Sequence, residues 1–390
     1  MTATPETGEN LFPAGTVEPD YVLDEALGTD AAGAFESVSG ADREHWMRAR
    51  AFVQEDLLPV IAGHWDGAEY SLDLVRRLGE LDLLRDGVAV DGYPGMSKTA
   101  AGLVSMELSR GDGSIATVSG VQGGLAMRSI ALCGSEEQRQ RWLPRMATGE
   151  LLGAFALTEP THGSDSVSLE TRATRVDGGW LLNGEKKWIG NGSMGGITVV
   201  WARSDEDGQV RGAIHQAHLR FENVLVPEEN ALPAARSFKD TAAVLFATRI
   251  SVAWGAVGHA QACYETAVQY AAQRVQFGRP LAASQIVQER LARMLSELTQ
   301  IQLLVARMTE REEAGTLTGE QASLAKYTST RTARSIAANA RDLMGGNGIL
   351  IEHRVARHFA DIEALHTYEG TETMQALIIG RSITGLSAFA

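Results

Sequence analysis

The chain has 390 residues, more than one ordinary core organises, so two or three domains are expected. Hydrophobic residues make up 44% and charged residues 22%, the balance of a soluble globular protein. The net charge of -14 excludes broad binding to a nucleic-acid backbone, and no apolar run reads as long enough to span a bilayer.

Residues 1 to about 40 are rich in Gly, Ala, Thr and acid and read as a mobile or loosely docked tail. The first basic residue is Arg43, which fits neither an Arg-rich transit peptide nor a secretory signal, so a cytosolic (cytoplasmic) enzyme is expected. Helical periodicity starts near Ala41, with Trp46, Ala49, Phe52 and Val53 on one face. Leu72, Leu74, Val75, Leu78 and Leu81 suggest a second helix, and Thr99 to Leu108 a third. Gly113 to Cys133 reads as one long buried helix, and Ser135-Glu136-Glu137-Gln138 as a helix start. Residues 41–150 thus form a helical domain. The two cysteines, Cys133 and Cys263, lie in apolar patterns and read as buried free thiols, without a disulfide framework or zinc site.

The period changes after residue 150. Leu151 to Leu157 is a strand-length apolar run. Trp180 to Ile189 carries Asn183-Gly184 and reads as a hairpin with that pair at its tip. Ile197 to Ala202 and His218 to Val226 add strands, so residues 151–232 read as a small antiparallel β domain. From Thr241 the helical period returns; Leu291, Met294, Leu295, Leu298 and Ile301 mark one helix. Ala322 to Met344 marks another, stopped by Gly345-Gly346, so residues 233–390 form a helical bundle.

Five stretches carry candidate chemistry. Phe155 to Asp165 places amides and hydroxyls in a turn directly after a strand, which suits a polar ring edge, a phosphate or a plain surface loop. Lys186-Lys187-Trp188-Ile189 offers an indole as core or as a wall for a planar group. Arg274 to Pro280 is a basic turn suited to phosphate or to solvent. Gly345-Gly346-Asn347-Gly348 permits close backbone approach, but follows a helix and is no Rossmann fingerprint. Finally, Tyr368-Glu369-Gly370-Thr371 sets a carboxylate between an aromatic ring and a glycine, ahead of a helical run. Held against apolar surface, such a carboxylate has a raised pKa and is a candidate proton abstractor; it also suits an ordinary helix-terminal turn.

Together these residues closely resemble the acyl-CoA dehydrogenase family. The motifs are Leu157-Thr158-Glu159-Pro160 with Gly163-Ser164-Asp165, Lys186-Lys187-Trp188-Ile189 with Asn191, Arg274 with Gln276-Phe277-Gly278 and Pro280, and Gly345 to Gly348 with Tyr368 to Thr371. The resemblance covers residues 41–390, and the C-terminal run Leu377 to Gly385 looks most like the glutaryl-CoA dehydrogenase branch. It implies a mostly α fold: an N-terminal helical domain, a middle antiparallel β-barrel and a C-terminal four-helix bundle. It implies FAD, a homotetramer and electron transfer to an electron-transfer flavoprotein. Glu369 would remove the α-proton of an acyl thioester, with the β-hydrogen leaving as hydride to flavin N5. Phe155, Leu157, Thr158, Ser164, Trp188 and Ile189 would border the flavin. Arg274, Phe277, Gln285, Gln288, Gly345 and Gly346 would face the adenosine half across a subunit interface, and Thr371 the pyrophosphate. Arg249, Tyr368 and Gly370 would border the substrate.

The sequence departs from that pattern at three places. Where the glutaryl branch holds the distal carboxylate with an Arg and a Glu, this chain has Ala116 and Ser109, so glutaryl-CoA is disfavoured. Gly190 replaces a usual Thr and removes a hydroxyl expected near the flavin. Residues 212–216 join strands that the family separates, so the middle domain reads as shortened. These departures motivate an alternative: a flavin enzyme of the same fold in a biosynthetic (secondary) pathway, decarboxylating and desaturating a β-keto acid or using oxygen.

Overall fold

The computed structural model describes residues 21–69, 71–194, 196–215 and 219–388, with the backbone alone for 211–215. The N-terminal layer comprises α1 (Gly40–Ala51), a π-helical turn (Phe52–Leu57), α2 (Leu58–Gly67), α3 (Leu72–Glu80), α4 (Lys98–Gly111) and α5 (Gly113–Ser119). A second π-helical segment (Gly120–Met127), α6 (Arg128–Cys133) and α7 (Glu136–Ala147) complete it. The run read as one buried helix from Gly113 to Cys133 is therefore continuous but widened at its centre, a feature that concentrates at functional sites. Ser135 and Gln138 make the reciprocal capping box that starts α7.

The middle layer holds β1 (Gly153–Ala156), β2 (Arg172–Val176), β3 (Gly179–Glu185), β4 (Ile197–Ser204), β5 (Val210–His215) and β6 (Arg220–Pro227). Among the described residues they form one sheet in the order β1-β4-β2-β3-β6, with β5 on β4. The expectation of an antiparallel domain is corrected in part, because β4 runs parallel to both β1 and β2. The chain enters β2 by a long excursion through residues 157–171 and so can return in the same direction. The expected hairpin tip is also corrected. The turn lies at Asp177-Gly178, ahead of the pair Val176↔Gly179, and Asn183-Gly184 is a bulge inside β3. A side chain at Gly184 would lie 2.5 Å from Thr171 Oγ1, so that backbone approach selects the glycine. The expected shortening falls partly on residues 216–218, outside the described residues.

The C-terminal layer comprises α8 (Phe238–Gln273), a two-rung hairpin β7 (Val275–Gln276) and β8 (Arg279–Pro280), α9 (Gln285–Glu313), α10 (Gly319–Leu343), α11 (Val355–Thr367) and α12 (Glu372–Thr384). Ser237 and Asp240 cap α8, which is long and apolar enough to cross a membrane, contrary to the sequence reading. Its Ala/Gly-rich face is instead buried against α4 and α10, where Ala253, Ala256, Val257, Ala260 and Ala267 are at most 0% exposed. A buried ion pair ties the two helical layers: Arg110 of α4 donates from Nε to Glu265 of α8 at 2.9 Å. Cys133 and Cys263 are free and buried, as read.

The N-terminal segment needs a further correction. Residues 21–39 are not loose: Leu23 and Phe35 are buried in the C-terminal core. Gln273 and Gln269 of α8 donate to the Val22 and Glu25 carbonyls at 2.7 and 2.9 Å. The two apolar anchors are diluted among acids and glycines, so composition averaged over the segment conceals them. Residues 1–20 lie outside the described residues.

Candidate active site

A cavity of about 1180 Å³ opens where the three layers meet. It is lined from the N-terminal layer by Ser105, Ser109, Ala116, Thr117, Gly120 and Val121, and from the middle layer by Phe155 of β1 and by Leu157, Thr158, Ser164, Trp188 and Ile189 of its loops. Thr248 and Arg249 of α8 and Tyr368, Glu369 and Gly370, between α11 and α12, close it. Phe155 and Leu157 are placed by β1, whose burial on both faces follows from its apolar run.

Glu369 stands at the junction of two helices. Tyr368 ends α11, its N–H donating to Ala364 at 2.9 Å, and Thr371 caps α12 by accepting from Met374 N. Between them Glu369 adopts φ +55°, a left-handed conformation sparsely populated by non-glycine residues. Its side chain keeps some surface toward the cavity yet is enclosed by protein. The enclosure sets the charge energy: burial raises the carboxyl, while Lys326, the Thr248 hydroxyl and Arg249 pull it back and Asp86 pushes it up. The Thr248 hydroxyl lies 3.0 Å from Glu369 Oε2 and 3.2 Å from the Leu245 carbonyl, and donates to one at a time. A carboxylate in this setting is a suitable general base.

Tyr368 is hydrogen-bonded to Thr117, and its phenol is pushed up by burial. Burial also lowers Arg249, opposed by Glu369; Arg249 donates to Ser323 Oγ at 3.2 Å. Lys326 of α10 is 1% exposed and was missed in the sequence. Its signal was a lysine within the buried stripe Ala322, Ala325, Ser329, Ala333 of one helical face. Burial brings its ammonium down to about 7, opposed by Glu369 and helped by Arg249.

The flat-group side of the cavity is held by its own ion pair. Lys186 Nζ meets Glu159 Oε1 at 2.8 Å, and Glu159 also accepts from Glu170 N and Thr171 N at 2.6 and 2.8 Å. Glu159, His162 and Glu170 come within 4.8 Å of one another, but the Glu159 oxygens already serve these donors. Trp188 stands 82% exposed at φ +62°. An indole held in that strained conformation, with Ile189, Leu157 and Phe155 beside it and the Thr158 and Ser164 hydroxyls at hand, fits a planar heteroaromatic partner. At Gly190 a methyl would lie 2.9 Å from a Val121 methyl, so Val121 would have to shift to admit a threonine side chain there. The opposite end of the cavity carries Ser105, Ser109, Ala116 and Ser251, with Asp86 paired to Arg128 at 3.1 Å.

The remaining expected residues stand elsewhere. Arg274, Phe277, Gln285, Gln288, Gly345 and Gly346 cluster around the far end of α8, the start of α9 and the end of α10, outside the cavity lining. Arg249 lies in the first third of α8 and Arg274 directly after its last residue, about 37 Å apart at the helical rise per residue. Phe277 is 103% exposed, and the Gln288 side chain donates to the nearby Ala282 carbonyl. Thr371 serves as a helix cap and is absent from the cavity lining.

Three acyl-CoA dehydrogenase domain families match the chain: N-terminal over residues 41–150, middle over 154–241 and C-terminal over 238–384. An acyl-CoA dehydrogenase of Bacillus subtilis (strain 168) is 32% identical, the match covering 86% of this chain and 96% of that protein. Isovaleryl-CoA dehydrogenase of Solanum tuberosum is 30% identical, covering 85% and 88%. The crystal structure of glutaryl-CoA dehydrogenase from Mycobacterium smegmatis has a TM-score of 0.89 and 39% identity, covering 93% of this chain and all of that one (100%). The chain belongs to the acyl-CoA dehydrogenase family of FAD-dependent oxidoreductases.

Proposed function

We propose that the protein dehydrogenates a neutral acyl thioester, on CoA or a carrier protein, at its α,β bond. The observation that carries this reading is Glu369, a carboxylate raised by burial, facing a cavity that joins a planar-group wall to a pocket lined by Ser105, Ser109 and Ala116. Glu369 takes the α-proton. Its Oε2 receives the Thr248 hydroxyl while ionised; once protonated, the carboxyl donates to Thr248, whose own hydrogen then turns to Leu245. The Glu369 backbone N–H is offered to the thioester carbonyl, an oxyanion-hole type of stabilisation. Arg249 and Tyr368 border the thioester. FAD supplies the acceptor for the hydride that leaves the β-carbon. Phe155, Leu157, Thr158, Ser164, Trp188 and Ile189 would hold its flavin.

The Arg274 cluster lies too far along α8 to meet a flavin in the same chain's cavity. A second copy would bring it there, with Gln285, Gln288, Gly345 and Gly346 on the adenosine half and Thr371 near the pyrophosphate. That supports the homotetramer expected of the family. An electron-transfer flavoprotein would then take the electrons.

A distal carboxylate is disfavoured, because Ala116 and Ser109 offer it no cation and Arg128 is already paired with Asp86. Anaerobic flavin bleaching with butyryl-, isovaleryl- and glutaryl-CoA tests this. Bleaching by a neutral chain and none by glutaryl-CoA is expected; rapid bleaching by glutaryl-CoA alone would overturn the neutral-substrate reading. The Val121 methyl against Gly190 favours one second reading, an enzyme of the same fold that decarboxylates a β-keto acid or uses oxygen. Peroxide, or product formed only in oxygen without an electron-transfer flavoprotein, would select it.

A further inference from the structure

Lys326 occupies a position where helix packing alone gains nothing from a charge. It is 1% exposed among small residues on the buried face of α10. An ammonium there loses its hydration and needs partners to offset the loss. Its partners are peptide oxygens: Nζ donates to the Tyr368 carbonyl and, at 2.5 Å, to the Gly370 carbonyl. These two oxygens bracket Glu369. From α12, Gln375 Nε2 donates at 3.0 Å to the carbonyls of Glu369 and Gly370. Three consecutive carbonyls are thus pinned, across the residue that holds φ +55°. A non-glycine residue persists in that region only where its surroundings enforce it.

We propose that Lys326 is the positioning residue of the base. It locks the 368–370 backbone in the turn that aims Glu369 into the cavity, and it supplies the counter-charge that holds the carboxylate ready to accept a proton. The proposal rests on the reading of Glu369 as the base. The charges around the pair are Arg249 from α8, Asp86 from the loop before α4, and His366 from α11, with the Tyr368 phenol beside them. Among the groups that pull Glu369 back from the effect of burial, Lys326 ranks ahead of Thr248 and Arg249. Gln375 shares the anchoring but carries no charge, so the two contributions separate by mutation.

The test uses the FAD-loaded full chain. Flavin absorbance is titrated with pH, and the midpoint that disappears in Glu369→Gln is the titration of Glu369. In Lys326→Met that midpoint is expected to rise, because the cation that pulls Glu369 back from the effect of burial is gone. Acyl-CoA bleaching is expected to slow by about 10²-fold, the effect of a misplaced base. Gln375→Leu should slow bleaching without moving the midpoint. Should Lys326→Met fail to fold, Lys326→Gln, which keeps one donor and drops the charge, is expected to give the same upward shift. A folded Lys326 variant with the wild-type midpoint would overturn the proposal, and so would a wild-type titration that Glu369→Gln leaves unchanged. A wild-type protein that no acyl-CoA bleaches would defeat the functional reading while leaving the titration to decide on Lys326.

Discussion

Glu159 and Lys186 show how single side chains hold this site. Both shift downward, for different reasons. Burial opposes the Glu159 charge, yet the Glu170 amide and Lys186 overcome it and bring the carboxyl from 4.5 to about 2. Lys186 is simply desolvated, down to about 8, with Glu159 resisting. Glu159 is only 4% exposed and accepts from the Glu170 and Thr171 amides and Lys186. Glu159→Gln is therefore expected to destabilise the protein by about 3 kcal/mol, the lower end for a buried cation left alone. Urea unfolding at neutral pH measures it; a change of a few tenths would contradict the account. Because the folded carboxyl is depressed, this stabilisation is present above 4.5 and is lost as pH falls toward about 2. The pair was hidden in the sequence: its partners are far apart along the chain and read separately as a turn acid and a strand lysine. Glu369 was legible, because its neighbours Tyr368 and Gly370 and the helix behind it are contiguous.

At the scale of elements, α8 does two jobs. Its first third places Thr248 and Arg249 at the cavity, and its last residues deliver Arg274 to the opposite end of the bundle. Arg274 Nη1 there meets the Tyr21 hydroxyl at 2.9 Å, so the N-terminal segment helps to hold it. Arg274→Ala is expected to weaken FAD retention severalfold through gel filtration while leaving the helical far-ultraviolet signal intact. Unchanged flavin occupancy would contradict an Arg274 contact with the cofactor. Helices were readable from their apolar period and, at Ser135, from the cap; the starts of α8 and α10, capped by Ser237 and Thr318, lie three residues ahead of where the period alone put them. Strand direction was not readable. Parallel pairing of β4 with β1 and β2 is decided by where residues 157–171 carry the chain, which no local pattern records.

For the whole molecule, the three layers meet at one cavity, and its two walls come from different domains. The middle layer offers Trp188 and the Thr158 and Ser164 hydroxyls, while the helical layers offer Glu369 with Ser105, Ser109 and Ala116. Motif order along the chain conveyed that architecture: the motifs at 157–165, 186–191 and 368–371 border the cavity, while those at 274–280 and 345–348 lie between helices of the C-terminal layer. It did not convey the docking of residues 21–39, which depends on two side chains, Leu23 and Phe35, entering a distant core. The central claim is that Glu369 removes the α-proton, and anaerobic flavin bleaching of wild type and Glu369→Gln with a reactive acyl-CoA tests it most directly. The wild-type rate should rise with pH as Glu369 loses its proton, and the FAD-loaded Glu369→Gln protein should stay yellow at every pH. Bleaching of that variant at the wild-type rate would contradict the account.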